Sequence, residues 1–474
     1  MPVVEHDYKP GDYILQYVGI VGSTGTKVNI TDQIIELNIY QSIDAPCMTG
    51  DIVIHDVAGT AEILPLIGQE RIIFTLHNPS SAEKVNFEDY HAVVSNIGER
   101  FTSGENSQVY RLEFVTVETF ANVRTKVSQS FKGEISSIVA EIVKDPNYLN
   151  SKKPLYIEET RDIKTYVAPN LRPFQVISHL AEQAISKEDQ HSGYLFFENT
   201  RGYHFRSFES LMGKSMAGTV SPTSKVYKLQ PAAMDAPASK RKDSIIEMDL
   251  VDSMDTLGST RSGLFGSTLL YHDVFNKNVL KKEFNYFEDS PTTSVSTNQL
   301  KSKSGSIASD STYDGKHYGD FPESRIFVHS TSSDNLHTEG IDNNAEEWLQ
   351  TSASRYYEQD YFQLQIVTYG DADLSAGDLV QVQVPTNRGK SKNEGPDAYD
   401  QILSGRYLVA DIKHSVSPQD GLHGMTLRLI KDSVQEKYPV ENFNFGDPPD
   451  SGTILLSSGD YKTPDEANSL QSRL

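Results

Sequence analysis

The strongest constraint on the fold is a stretch near the end of the chain, residues 361–431, in which apolar and polar residues alternate. The alternation recurs in four runs, at 362–369, 378–385, 405–414 and 424–431. A period of two puts one set of side chains on a buried face and the other in water, as in half-buried β-strands. Four antiparallel strands must curl or pack to hide that face, so the stretch predicts a small β-barrel or sandwich.

The length and charge of the chain limit what else it can be. With 474 residues it should hold more than one domain, since single cores rarely grow beyond about 250–300 residues. A net charge of −22 argues against a nucleic-acid-binding surface, because such surfaces carry basic patches. The single cysteine, Cys47, indicates a reducing compartment of synthesis. Neither a signal peptide nor a run of about 18 apolar residues, as a membrane-spanning helix needs, is expected.

Residues 1–119 predict a first tube-like β-domain, because runs rich in Ile, Val, Thr and Tyr follow one another at the spacing of barrels and sandwiches. The predicted strands are 13–19, 31–40, 49–56, 70–77, 87–97 and 108–117, with a short helical turn at 57–66.

Residues 120–216 predict a small α+β domain. Apolar residues at helical spacing indicate helices at 134–143 and 172–185, the second with Asn170 as its cap and Pro173 in its first turn. A β-hairpin is expected at 192–211, with Gly202 at the turn position that favours a left-handed backbone.

After a connector at 217–244, residues 245–435 predict a second tube-like β-domain. A Ser/Thr-rich excursion at 289–340 interrupts it, because that segment has little to bury. A helix is expected at 345–357, capped by Asn343 or Asn344, with Trp348, Leu349, Ala353 and Tyr356 facing inward. Residues 436–474 predict an extended C-terminal tail. The fold class is therefore mainly β with an α+β insert.

No motif selects a chemistry, so no catalytic, cofactor-binding or metal-binding residue is predicted, and no enzymatic activity is expected. Residues 213–215 and 389–391 resemble the end of a phosphate-binding loop but lack its first glycine. Residues 371–373 lack the later ligands of a calcium loop. The adjacent pairs 158–159 and 346–347 point apart on a strand or helix, so neither forms an acid–base pair alone. Cys47 has no identified histidine partner.

Several segments resemble the central baseplate hub of contractile-tailed bacteriophages, of the T-even type and its homologues in marine and cyanobacterial phages. They are the hairpin at 193–211, the run Tyr-His-Asp-Val-Phe-Asn-Lys at 271–277, and residues 377–384 with 403–409. The resemblance extends over about residues 13–434, and the excursion and the tail depart from it.

The resemblance implies a homotrimer in a phage tail baseplate, made and assembled in the host cytoplasm. Each chain would contribute two tube-type β-domains to a pseudo-hexameric ring, which adapts a six-fold tail tube to a three-fold central spike and lets DNA pass after the spike is released. Expected partners are other copies of the chain, the spike protein, tail tube or tube-initiator proteins and baseplate wedge proteins. An acidic lumen would keep DNA from binding during ejection.

Two alternatives stay open at this point. One is the hub part of a type VI secretion or contractile injection spike complex, although residues 436–474 are too short and irregular for the β-helix that usually follows it. The other is a tail-tip hydrolase of cell wall or polysaccharide, which would need carboxylates brought together from distant strands.

Overall fold

The computed structural model divides into two compact bodies, residues 1–435 and 436–474. The residues that it describes are 9–23, 25–64, 66–68, 70–79, 84–89, 92–104, 107–188, 191–213, 225–229, 243–253, 255–273, 277–289, 312–313, 315–330, 345–359, 361–386, 399–400, 402–432, 454–455 and 461–462. In the second body they form a short antiparallel strand pair, Ile454–Leu455 with Tyr461–Lys462, within the segment predicted to be extended. No helix in these described ranges is long and apolar enough to cross a membrane.

A curled antiparallel sheet forms the first β-unit. Its strands are β1 Ile14–Val21, β2 Lys27–Asn29, β3 Ile34–Ser42, β4 Thr49–Asp56, β5 Arg71–His77, β6 Val85–Asn86, β7 Ala92–Thr102 and β8 Gln108–Thr116, with the short helix α1 Thr60–Ile63. The main strands lie in the order β1-β5-β7-β8-β4-β3 around an apolar core that includes Ile52, Phe74 and Phe114. The predicted strands and helical turn are confirmed, although the strand expected at 87–97 begins at residue 92.

The α+β segment follows directly. It comprises α2 Val117–Arg124, β9 Ser130–Glu134, α3 Ile135–Lys144, β10 Leu155–Ile157, β11 Ile163–Val167, α4 Pro173–Gln183, β12 Tyr194–Asn199, β13 Gly202–Ser207 and α5 Phe208–Gly213. Both predicted helices and the hairpin are confirmed, while α2 was not predicted.

The expected cap of α4 is wrong. Asn170 lies outside the helix with φ 58°, and Arg172 directly precedes it. The side chain of Asn122 instead accepts a hydrogen bond from the Phe174 amide (2.8 Å), so α2 supplies the cap.

Six strands close into a β-barrel to form the second β-unit. They are β14 Lys225–Leu229, β15 Ser244–Ser253, β21 Phe362–Tyr369, β22 Leu379–Gln383, β23 Gly405–Ser417 and β24 Leu422–Ile430. The strand order in this barrel is β14-β22-β23-β24-β21-β15, and β15 pairs with β14 to close it. The four alternating runs are confirmed as β21 to β24. Strand β14 lies inside the segment predicted to be a connector, where it pairs in parallel with β22.

A smaller layer is inserted between β15 and β21. It contains α6 Thr256–Ser262, β16 Gly266–Asp273, β17 Asn278–Asn285, α7 Tyr286–Asp289, β18 Thr312–Tyr313, β19 Lys316–His317, β20 Ile326–Ser330 and α8 Ala345–Gln359. Strand β20 pairs in parallel with β16, so the later part of the predicted excursion belongs to a sheet. The residues proposed to cap α8, Asn343 and Asn344, lie outside the described residues.

The inward face predicted for α8 is partly wrong. Trp348 is buried, but Tyr356 is 38% exposed, while Arg355 and Glu358 are buried. Arg355 pairs with both Glu358 and Glu209, so the charged face turns inward because its partners lie there.

The two β-units share one strand order. When the six main strands of each unit are numbered along the chain, leaving out the short β2 and β6, they lie in the order first, fourth, fifth, sixth, third, second in both. From the fourth strand through the fifth, sixth and third to the second, each strand also runs antiparallel to the next in both units. The units differ in the first strand, which is antiparallel to the fourth in the first unit and parallel to it in the second. The ladder between first and second strands is found only in the second unit, among the described residues.

Candidate assembly interface

Of the residues weighed as catalytic or metal-binding in the sequence, some lie outside the described residues and others make structural contacts. Lys214, Ser215 and residues 389–391 lie outside the described residues. Asp371 is buried, forms an ion pair with Lys225 and accepts a hydrogen bond from Asn78 Nδ2 (2.6 Å), so it is a structural residue of a turn. Within the described part of the chain, no group of His, Cys, Asp or Glu could hold a metal ion.

The carboxylate pairs are likewise occupied by structural contacts. Glu158 accepts a hydrogen bond from the Ser207 amide (2.7 Å), whereas its neighbour Glu159 is exposed. Glu347 forms an ion pair with Arg161. Burial raises the pKa of the Cys47 thiol, which favours the protonated form over a nucleophilic thiolate.

What the fold does build is a joint between the two β-units. Strand β23 pairs with β3 in an antiparallel ladder that runs from Asp411 opposite Ser42 to Val416 opposite Leu37. The sheets of the two units are therefore one continuous hydrogen-bonded surface at this edge. An exposed ion pair, between Arg428 and Asp44 (2.6 Å), lies across the same joint.

A buried polar chain crosses the joint. The Ala376 amide donates to Gln41 Oε1 (3.3 Å), so Gln41 Nε2 is the group that donates to His414 Nε2 (3.2 Å). This places the proton of His414 on Nδ1, which donates to His423 Nε2 (3.1 Å). Burial lowers the pKa of His414 to about 4 and that of His423 well below its usual value, with His414 adding to the effect. Both imidazoles are therefore neutral in the folded chain at pH 7.

One edge of β23 serves two neighbours. Its first residues, Gly405 to Leu408, pair with β22, and the same edge beyond Asp411 pairs with β3. The change of partner occurs at a bulge at Ala410, where the ladder with β24 shifts by one residue. The Val409 amide, just before the bulge, donates to the Asp378 carbonyl (2.8 Å).

Strand β7 has the same construction in the first β-unit. Its first two residues, Ala92 and Val93, pair with β5, and its ladder with β8 shifts at a bulge at Ser95. The Val94 amide, just before that bulge, donates to the Glu70 carbonyl (2.9 Å). Beyond the bulge, no strand of the described residues pairs with the edge that β3 occupies on β23.

Strand β15 matches β3 in sequence as well as in position. Residues 34–42 read IIELNIYQS and residues 245–253 read IIEMDLVDS. Both strands have a bulge at the second isoleucine of this run, Ile35 and Ile246. The repeat was missed in the sequence analysis, and a comparison of the chain with itself could have found it.

Exposed apolar side chains distinguish β15 from β3. Ile246, Leu250 and Val251 are 57%, 48% and 54% exposed, whereas Ile39, which matches Leu250, is fully buried at the joint. Three large apolar side chains on one strand are more than the scattered exposure normal for a protein surface. The described residues thus leave two edges, on β7 and β15, that correspond to the two edges paired in the joint.

The α+β segment is held to the first β-unit by buried charges. Lys153 forms ion pairs with Glu118 (2.8 Å) and Glu198. Glu198 also accepts hydrogen bonds from the Met48 amide (2.9 Å) and from Thr116 Oγ1 (2.7 Å), at the ends of β4 and β8. Burial lowers the pKa of Lys153, but the two carboxylates outweigh it and raise the pKa overall.

The turn of the hairpin holds the second β-unit. Gly202 has φ 140°, and a Cβ there would lie 2.4 Å from the Pro154 carbonyl oxygen, so only glycine fits. Arg201 makes a bidentate ion pair with Asp378, with N–O distances of 2.6 and 2.9 Å. The hairpin thereby links both β-units.

Comparison with known proteins shows what this fold is similar to. No family model matches the chain, and no curated protein matches it. A tail protein from Neisseria meningitidis is 14% identical with a TM-score of 0.51, over 89% of this chain and 97% of that one. A 43 kDa prophage tail protein from Shewanella oneidensis is 12% identical with a TM-score of 0.48, over 88% and 98%. A type VI secretion component from Escherichia coli is 10% identical with a TM-score of 0.40, over 89% and 79%.

The first of these likenesses covers nearly the whole of both chains. The chain therefore has a fold similar to that of this tail protein, mainly β with an α+β insert. At this level of identity the likeness concerns the fold and leaves function to be argued from the molecule.

Proposed function

We propose that the chain is a structural hub of a contractile phage tail baseplate. Three copies form a ring of six β-units that adapts a six-fold tail tube to a three-fold central spike. The observation that carries this proposal is the shared strand order of the two β-units, because a chain with two like units can match six-fold symmetry with three copies.

The joint supports the same proposal. Strands β23 and β3 join unlike edges of the two units, in the head-to-tail manner from which closed rings are built. A repeat of this contact between chains would bury the sheet edges that are exposed in a single chain. The proposed ring would thus repeat between chains a contact that the chain already makes within itself.

The T-even and cyanophage type of hub, the partners and the passage of DNA are further parts of the proposal. The ring would bind the tail tube or its initiator on one face and the spike on the other, with wedge proteins around it. The net charge of −22 supports a passage that does not retain DNA, since phosphates are repelled by acidic walls. A basic lumen in the assembled ring would remove this part.

We propose a structural role over the hydrolase alternative for a specific reason. Two carboxylate pairs that the fold brings together, Glu118 with Glu198 and Glu209 with Glu358, are buried around a lysine or arginine. They cannot reach a polysaccharide in this arrangement. A zymogram on purified bacterial cell wall should show no clearing, and a clear zone would favour the hydrolase.

Imaging of the assembled particle tests the proposed function. In averaged electron micrographs of tails, a fusion tag on the chain should appear as three copies around the tail axis, between tube and spike. Tails from a mutant that lacks the chain should show no baseplate hub. A tag found along the tube or the fibres, or six copies around the axis, would contradict the proposal.

A further inference from the structure

The two edges that lack a strand partner among the described residues, on β7 and β15, correspond strand for strand to the two edges of the joint. We propose that β7 of one chain pairs antiparallel with β15 of a second copy, in the same way that β23 pairs with β3 within the chain. The proposal rests on the proposed ring and names the strands and the register that close it. The occupant of each edge is therefore another copy of this chain.

The match between β7 and β23 lies in backbone construction. Both are the fifth strand of their unit, both stop pairing with the fourth strand at a bulge, and in both the residue before the bulge donates to the residue that precedes the fourth strand. In β23 the edge beyond the bulge pairs with the second strand of the other unit. The equivalent partner for β7 is β15, the second strand of the second β-unit.

The ladder positions give the register. Asp411 and Asn96 directly follow the two bulges, and Ile412 is the equivalent of Ile97. On the other side, Asn38 is the equivalent of Asp249, counted from the bulge that β3 and β15 share.

Each unpaired edge also carries one additional bulge that its equivalent lacks. On β7 it lies between Gly98 and Phe101, where Glu99 has φ 52°, and on β15 it lies at Val251. Transferring the β23–β3 pairs places these two bulges opposite each other, so that the extra residues compensate and the register is kept. Phe101 then lies opposite Asp249, as Ser415 lies opposite Asn38 within the chain.

Burial agrees with this pairing. Ile412 is buried at the joint, whereas its equivalent Ile97 is half-buried. Further along β7, Phe101 is 57% exposed. On the opposing edge Leu250 is 48% exposed, whereas its equivalent Ile39 is fully buried. Exposed apolar side chains on both edges are a feature of surfaces that become buried on association.

Engineered disulfides test the register directly. In a chain with Cys47→Ser, the double variant Phe101→Cys and Asp249→Cys should oxidise to a covalent trimer on a non-reducing gel, because directly opposite residues have Cβ atoms about 4.5–5.5 Å apart. The matched control, Phe101→Cys with Glu247→Cys, is two residues out of register and should give at most about a tenth of that product. Mixing the two single variants should give a cross-linked dimer, whereas each alone should give none.

A substitution on the exposed edge tests the contact without a cross-link. Leu250→Asp should leave the fold intact and weaken self-association about tenfold or more in light scattering. The control Val328→Asp changes a 75% exposed apolar residue on another sheet and should leave association unchanged.

The outcomes separate this proposal from the proposed function. A chain that is trimeric but forms no 101–249 cross-link and tolerates Leu250→Asp would overturn the strand pairing and leave the ring standing. A chain that stays monomeric at about 100 μM, far above the dissociation constant of a stable interface, would overturn the self-pairing of these edges. Tags located away from the tail axis would overturn the function whatever the pairing.

Discussion

The joint and the unpaired edges use the same strands of the fold but differ in what covers them. At the joint, β3 covers the edge of β23, and the core-facing residues Ile39, Gln41, Ile412 and His414 are buried. At the unpaired edges, the equivalent strands β7 and β15 show apolar side chains. The exposure of Leu250 is therefore a property of the single chain, since its equivalent Ile39 is fully buried where the partner strand is present. Four measurements would test how the covered and uncovered parts of the fold differ in stability.

The largest effect is expected where buried charge fixes the first β-unit to the hairpin. Lys153→Met leaves Glu118 and Glu198 buried without a cation and should lower the free energy of unfolding by about 3–5 kcal/mol. Chemical denaturation monitored by fluorescence would measure it. Lys152→Met, on the exposed neighbouring residue, should change stability by no more than about 0.5 kcal/mol. Equal effects of the two changes would show that the buried ion pairs are not needed.

The next effect compares matched residues on the paired and unpaired edges. Ile39→Ala removes a fully buried side chain at the joint and should cost about 2–4 kcal/mol. Leu250→Ala, at the equivalent position of β15, should cost less than about 0.5 kcal/mol in the dissociated chain, because it leaves no cavity there. Denaturation at low and high protein concentration would separate the two states. A large cost of Leu250→Ala in dilute chains would mean that the edge is already covered.

The joint should also weaken in acid. The folded pKa of His414, about 4, lies below the value near 6.5 of an unfolded histidine, so the unfolded chain binds more protons as the pH falls. The stabilisation is largely present above pH 6.5 and is lost toward pH 4, by about 2 kcal/mol between pH 6.5 and 4.5. Unfolding followed against pH would show this slope, and His414→Gln should reduce it, while His423 contributes the rest. An unchanged slope in the variant would assign the pH dependence to other groups.

The smallest effect is expected at the hairpin turn. Arg201→Lys keeps the charge but loses the bidentate ion pair with Asp378. This ion pair is partly exposed and is screened by water. A loss of about 0.5–1 kcal/mol is expected in thermal unfolding. Arg201→Ala should add little to this, and a much larger cost would show that the turn holds the second β-unit more firmly than its exposure indicates.

Much of the fold could be predicted because local patterns of apolar and polar residues determine its strands and helices. The strands β21 to β24 alternate since each buries one face, and α3 and α4 show their apolar spacing for the same reason. Strand β14 escaped prediction because it is short, lies among Pro, Ser and Lys, and pairs in parallel with a strand more than 150 residues away.

The parts that could not be predicted depend on distant partners. From the sequence alone, Arg355 is expected to be solvated. In the structure it is buried, because Glu209, far away in the sequence, lies beside it and forms an ion pair with it. The same holds for the interface, since no single run shows that β7 and β15 are equivalents of β23 and β3. The repeat at 34–42 and 245–253 was the one local signal of that equivalence.

The thirteen-residue strand β23 borders both β-units of a chain, since it pairs with β22 and β24 in the second unit and with β3 in the first. A ring built from such chains would have joints of two kinds in alternation, one between units of the same polypeptide and one between units of different chains, held by side chains and ladder bonds alone. Mechanical load would then part the ring at every second joint, so that it dilates with three-fold and not six-fold geometry while each chain moves as a rigid segment.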